Sequence, residues 1–155
     1  TLPGPYRVTL SQLPPDLYVK EARFNQADVL NKPLQFSGSA SSPLEIVLSA
    51  RAGQLEGTVT DDNRQPVVDT SVVLIPDQNR DRVDLYKSSV SDQNGLFIIR
   101  GITPGEYKVF AWEALEPFAY FDADVLRRFE MQGKSVRIAE SDRLTTDIRL
   151  IPLNP

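Results

Sequence analysis

Between residues 52 and 153 the sequence reads as seven short apolar stretches, each cut off by turn-forming residues, and this rhythm restricts the chain to a sheet-built fold. Residues 55–59 place Leu55, Gly57 and Val59 at alternate positions, and the polar turn Asp61-Asp62-Asn63 comes next. Residues 70–75 are β-branched and apolar, and a charged loop runs from 77 to 84. Residues 86–90 alternate, then Asp92-Gln93-Asn94-Gly95 closes a hairpin, because Asn and Gly both tolerate positive φ. Residues 96–99 form the next strand, and Gly101-Ile102-Thr103-Pro104-Gly105 turns the chain again, with Pro presetting its own φ. Residues 107–112 carry Tyr107, Val109 and Ala111 on one face and Lys108, Phe110 and Trp112 on the other. Bulk on both faces predicts one side in the core and the other beneath a loop. Residues 136–138 and 148–151 complete the set, and Pro152, which has no N–H to donate, ends the ladder. Seven strands at this spacing predict an all-β sandwich.

One helix is expected, over residues 121–131 in the long connection before the sixth strand. Val125, Leu126 and Phe129 share a stripe, Asp122 stands near its start and Gly133 just past its end.

The first 50 residues are a separate unit. Strands are expected at 6–10, 18–24 and 44–48, with a weaker one at 34–36. Parts of this unit recur later in the chain. Pro3-Gly4-Pro5-Tyr6-Arg7-Val8 matches Pro104-Gly105-Glu106-Tyr107-Lys108-Val109, and Leu44-Glu45-Ile46-Val47-Leu48 matches Thr146-Asp147-Ile148-Arg149-Leu150. The two matches are 40 residues apart in the first copy (Val8 to Leu48) and 41 in the second (Val109 to Leu150). Residues 1–50 therefore read as the C-terminal half of an upstream β-sandwich repeat, and residues 51–155 as a complete one.

The 155 residues contain no Cys and no His, which removes thiolate chemistry, disulfides, Cys/His metal sites and the histidine-based catalytic triads. A net charge of −4, without any basic run, gives no electrostatic reason to bind nucleic acid or an anionic membrane. No apolar stretch approaches the ~18 residues of a spanning helix. The chain begins at Thr1 rather than Met, as expected of a processed or excised piece; any export signal would lie upstream.

In order along the chain stand Gly53-Gln54-Leu55-Glu56-Gly57-Thr58-Val59-Thr60-Asp61, Pro66-Val67, Ser71-Val72-Val73-Leu74, Ser91-Asp92-Gln93-Asn94-Gly95-Leu96-Phe97 and Gly101 through Val109. This series resembles the carboxypeptidase regulatory-like domain family, strongly over residues 52–112. Through residue 153 it is similar to the extended forms found in tandem in large exported bacterial, acidobacterial-type proteins. Asp69 stands where that family often has Gly, and Ser91 where it often has Thr. The resemblance implies a seven-strand Ig-like, transthyretin-like (prealbumin-like) sandwich, an accessory rather than catalytic part of a secreted or cell-surface protein, with no cofactor. The hydrolase activity known on the transthyretin fold depends on histidines, and this chain has none.

Three residue groups invite a functional reading. Asp61, Asp62 and Asp92 lie in two turns that together offer hard oxygen ligands of the kind calcium takes, although ordinary turn chemistry accounts for the same residues. Glu113, Glu116, Asp122, Asp124 and Glu130 form an acidic stretch in which two carboxylates could in principle flank a glycosidic bond; a solvated loop and helix face is the plainer reading. Trp112, Phe118 and Tyr120 are the candidate glycan or partner contacts, since exposed aromatic faces stack on sugar rings, whereas buried ones would cap an end of the sandwich. An internal isopeptide cross-link is not expected, because residues 55–60 hold no Lys.

The expected function is a non-catalytic structural or interaction module, a tandem spacer or assembly unit that polymerises through β-edge pairing, and the alternative is a carbohydrate-binding module. Expected partners are other protein modules, copies of the chain or polysaccharide, and the expected location is extracellular, cell-surface or periplasmic.

Overall fold

The computed structural model describes residues 4–36 and 43–152. Five strands precede residue 50: β1 (Gly4–Tyr6), β2 (Tyr18–Phe24), β3 (Ala27–Asp28), β4 (Leu34–Phe36) and β5 (Leu44–Ser49). Eight lie beyond it: β6 (Gly53–Thr60), β7 (Ser71–Pro76), β8 (Lys87–Val90), β9 (Leu96–Ile102), β10 (Gly105–Trp112), β11 (Lys134–Ile138), β12 (Arg143–Thr145) and β13 (Ile148–Arg149). The α-helix among the described residues is α1 (Ala123–Phe129).

The later strands make two sheets. One has the order β11-β10-β7-β8, antiparallel throughout. In the other, β6 lies between β9, which is antiparallel to it, and β12 and β13, which run parallel to it end to end along its opposite edge. The alternation Gly53, Leu55, Gly57, Val59 puts one face of β6 entirely inside. There Leu55, Val59, Phe97 and Ile99 meet Val72, Leu74, Tyr107 and Val109 from the facing sheet. Burying each such side chain is worth about 1.5–3 kcal/mol. The chain is thus an all-β sandwich.

The two-sided strand behaves as its composition predicts. Tyr107, Val109 and Ala111 enter this inter-sheet core. Phe110 and Trp112, with Val73 and Ile75 from β7, form a second core on the sheet's outer face, closed by Leu126 of α1 and by Ile151. The expected helix over 121–131 is shorter, because single 3-10 turns at Ala119–Phe121 and Glu130–Gln132 flank it. Its N-cap is Asp122, whose carboxylate accepts from the Asp124 N–H at 2.8 Å.

The last expected strand, 148–151, is shorter as β13, and an unexpected strand, β12, precedes it on the same edge of β6, with a break between the two. A Cβ at Gly57 would lie 1.7 Å from the Thr146 carbonyl oxygen, so β6 admits the crossing chain there only because it carries no side chain. Thr146 N–H donates to Glu56 O at 2.9 Å, and the Asp147 carboxylate accepts from Thr58 N–H at 3.3 Å across the gap. Bonding resumes with Leu150 N–H to Thr60 O at 2.8 Å.

Before residue 50, β3-β2-β5 form a three-stranded sheet and β1-β4 a two-stranded ribbon. A small core of Val19, Ala22, Val29 and Leu30 joins them. The strand expected over 6–10 is instead β1, three residues long, because its partner β4 offers only three residues. Val8 and Leu10 still pack against the small core. Pro3 and Leu153, which belong to the expected repeat and the expected final stretch, lie outside the described residues.

Candidate functional site

The candidate carboxylates are engaged in turns. Asp61 Oδ1 accepts from the N–H groups of Asn63 (2.8 Å) and Gln65 (2.9 Å). Asp92 Oδ1 accepts from Asn94 (2.8 Å) and Leu96 (2.9 Å) in the same pattern. Each carboxylate thus closes its own turn by satisfying two backbone donors. Asp62 stands 3.8 Å from the Arg149 guanidinium. Among the described residues no group of three or more Asp, Glu, His or Cys could hold a metal ion.

The acidic stretch divides among separate tasks. Asp122 caps α1, and Asp124 faces Arg127 at 3.3 Å. Glu130 takes a two-pronged bond from Arg80, at 2.7 and 3.1 Å, and a third from Lys108 Nζ at 2.9 Å. Arg80 above all, then Lys108, holds the Glu130 carboxyl down at about 2 against its ordinary 4.5. This cluster pins the turn after α1 to β10 and to the loop after β7.

The three candidate aromatics separate. Trp112 is only 3% exposed, stacked with Phe110 and Tyr120 and met edge-on by Phe129. Its alternation along β10 turns it under α1, so its ring is packed rather than offered to a ligand. Its Nε1–H is buried without a hydrogen-bond partner among the described residues. Tyr120 is half-buried. Phe118 is 69% exposed and stacks on the exposed Phe121, with ring centroids 6.2 Å apart. Phe118 has φ 65°, in the left-handed region that a non-glycine residue seldom adopts.

Sequence reasoning points to the joint near residues 50–53 but missed the side chains that hold residues 4–49 against the later strands. Tyr18 of β2 donates its hydroxyl to Glu140 Oε1 at 2.6 Å, and Lys20 and Arg51 approach the same carboxylate at 3.8 and 3.7 Å. Burial first, then the bond to Glu140, raises the Tyr18 hydroxyl pKa, and the same bond lowers that of Glu140. Asp28 accepts from Leu30 N–H (2.9 Å) and Asn31 Nδ2 (3.2 Å), which presents Asn31 Oδ1 to the buried Arg82 at 3.0 Å. Asp84 takes the other side of that guanidinium at 2.7 Å. Arg7 pairs with Asp81, and Ala52 N–H donates to Asp16 O at 3.2 Å. Leu10, Leu13 and Leu17 line a groove here against Tyr86, Arg100 and Thr103. The local signal was the Asp28-to-Asn31 turn; nothing local marks a partner more than a hundred residues away.

Two apolar strips remain on the surface. Val90, Leu96 and Ile98 are exposed where the edges of β8 and β9 meet. Leu44, Ile46, Val47 and Leu48 are exposed along β5.

The model of the carboxypeptidase regulatory-like domain matches residues 54–150. Among solved structures, the chain is similar to the TIE protein of Bacillus anthracis (8% identity, TM-score 0.43, covering 76% of this chain and 20% of that one). It is also similar to the major pilin subunit of Bacillus cereus (14% identity, TM-score 0.44, 88% and 57%) and to a carbohydrate-binding-type protein of Pseudomonas aeruginosa (15% identity, TM-score 0.40, 64% and 88%). The chain spans a fifth of the first of these and under two thirds of the second. A search of curated proteins returned no match. With the family match covering well over half of its length, this chain belongs to the carboxypeptidase regulatory-like domain family.

Proposed function

We propose that the chain is a non-catalytic structural module of a secreted or cell-surface bacterial protein, a tandem spacer and assembly unit that joins its neighbours through β-edges. The observation that carries this reading is the joint. Tyr18, Asn31, Arg7 and the Asp16 carbonyl each bond across it, which supports a single relative arrangement of the two regions. A spacer needs that property, and a catalyst of this size would need a converging set of groups instead. The carboxylates of Asp61, Asp92, Asp122 and Glu130 are spent on turns, a helix cap and an ion pair. Small-angle scattering of the whole chain tests the reading: a single rigid particle is expected, and two units tumbling independently would overturn it.

A second reading is favoured by the Phe118–Phe121 pair, an exposed stacked aromatic surface of the kind that holds sugar rings. Titration with soluble polysaccharides decides between the two. Binding that Phe118→Ala abolishes would establish a carbohydrate-binding module; no heat of binding is expected on the first reading.

A further inference from the structure

The repeat seen in the sequence recurs as strand register. Gly4, Pro5 and Tyr6 of β1 face Phe36, Gln35 and Leu34 of β4. Gly105, Glu106 and Tyr107 of β10 face Ile138, Arg137 and Val136 of β11 in the same way. The two ribbons are thus equivalent, and β5 is the equivalent of the final stretch that carries β13.

Burial of the equivalent residues differs. Ile148 is 4% exposed and Ile46 is 37%. Leu150 is half-buried and Leu48 is 42% exposed. Ile148 is covered because β13 lies parallel to β6, with Ile148 opposite Val59. Among the described strands β5 pairs only with β2, which leaves it the edge of the order β3-β2-β5. An apolar edge strand exposed on both faces is a surface shaped for another strand.

We propose that residues 4–49 accept, along the free edge of β5, a parallel strand of the β6 type, Gly-x-Leu-x-Gly-x-Val, from a front half-module that runs into Pro3-Gly4 as β9 runs into Pro104-Gly105. The occupant's chemistry is set by the second copy. An apolar residue must face Ile46, as Val59 faces Ile148. A glycine must stand opposite Leu44, the counterpart of Thr146, where a side chain on β6 has no room. The β6 strand of a second copy cannot serve, because β9 already occupies one of its edges and β12 and β13 the other. The assignment rests on the structural-module reading. That reading fails by independent tumbling or saccharide binding, whereas this one fails by unchanged exchange at β5.

The test places residues 52–103 of this same sequence directly ahead of Pro3 of the full chain. Amide hydrogen exchange over residues 44–49 should slow at least about tenfold relative to the original chain. Ile46→Lys in the extended chain should cancel that gain and leave protection of β6 and β10 unchanged. Equal β5 exchange in the extended and original chains overturns the proposal. So does concentration-dependent protection of β5 in the original chain, which would make a second copy the occupant. A synthetic peptide of residues 52–61 added to the original chain tests it without refolding a fusion. Saturable protection of β5 is expected from this peptide and none from its Gly57→Val version; equal effects of the two, or none from either, overturn the assignment.

Discussion

Tyr6 and Tyr107 occupy the same place in the same turn-and-strand motif, and the first is 37% exposed while the second is 2% exposed. Both begin from Pro-Gly, and both pair with an antiparallel neighbour in one register. What separates them is the facing sheet. Behind Tyr107 stand Leu55, Phe97 and Ile99, and its hydroxyl donates back to Thr103 O at 2.6 Å. Local sequence thus sets strand and register, while burial is set by what the rest of the chain brings opposite. A motif can be complete as secondary structure and only half complete as a core.

Paired truncations test this contrast most strongly. Tyr107→Ala should cost about 3–5 kcal/mol in urea unfolding, because it empties a packed site between two sheets. Tyr6→Ala should cost less than about 1 kcal/mol, because no facing sheet is emptied. Comparable losses at the two positions would break the comparison. The same logic gives about 2–5 kcal/mol for Ile148→Ala against less than about 1 kcal/mol for Ile46→Ala.

Acid should reach the later unit through Glu130. Its carboxyl titrates near 2 when folded and near 4.5 when unfolded. As pH falls below about 4.5 the unfolded chain takes up a proton that the folded chain refuses, so the Glu130 contribution is full above that pH and drains away toward pH 2. Urea midpoints measured from pH 5 to pH 3 should decline, and Glu130→Gln should flatten part of the decline. A modest effect belongs to the joint. Tyr18→Phe removes one hydrogen bond to an accessible carboxylate and should cost about 0.5–1.5 kcal/mol. Exchange should rise in β2 and around Glu140 and stay unchanged in β10; a rise throughout β10 would mean that the two units share one cooperative core.

Legibility obeys the same division between local and distant causes. β2 and β4 begin and end where alternation places them, and Gly95 takes φ 76° in the Asn-Gly turn. The buried underside of β10 was readable from bulk on both faces. β12 was not, because Arg143-Leu144-Thr145 holds one apolar residue and is a strand only by virtue of β6, far back along the chain. The β2–β3 turn hid in Asn25 and Gln26, both at positive φ without a glycine to announce it. Among the candidate residues, Trp112 illustrates the limit: alternation gave its face, and only the path of α1 decided that this face would be covered.

The parallel placement of β12 and β13 along β6 has a mechanical consequence. The first and last strands of this unit lie side by side and point the same way, so tension applied at its two ends slides one past the other. Every ladder bond between Gln54 and Thr60 is then loaded together instead of being opened one after another. Pulled from its ends within a longer chain, the unit would resist as a clamp does, with its lifetime under tension set by the rate of this single shearing step.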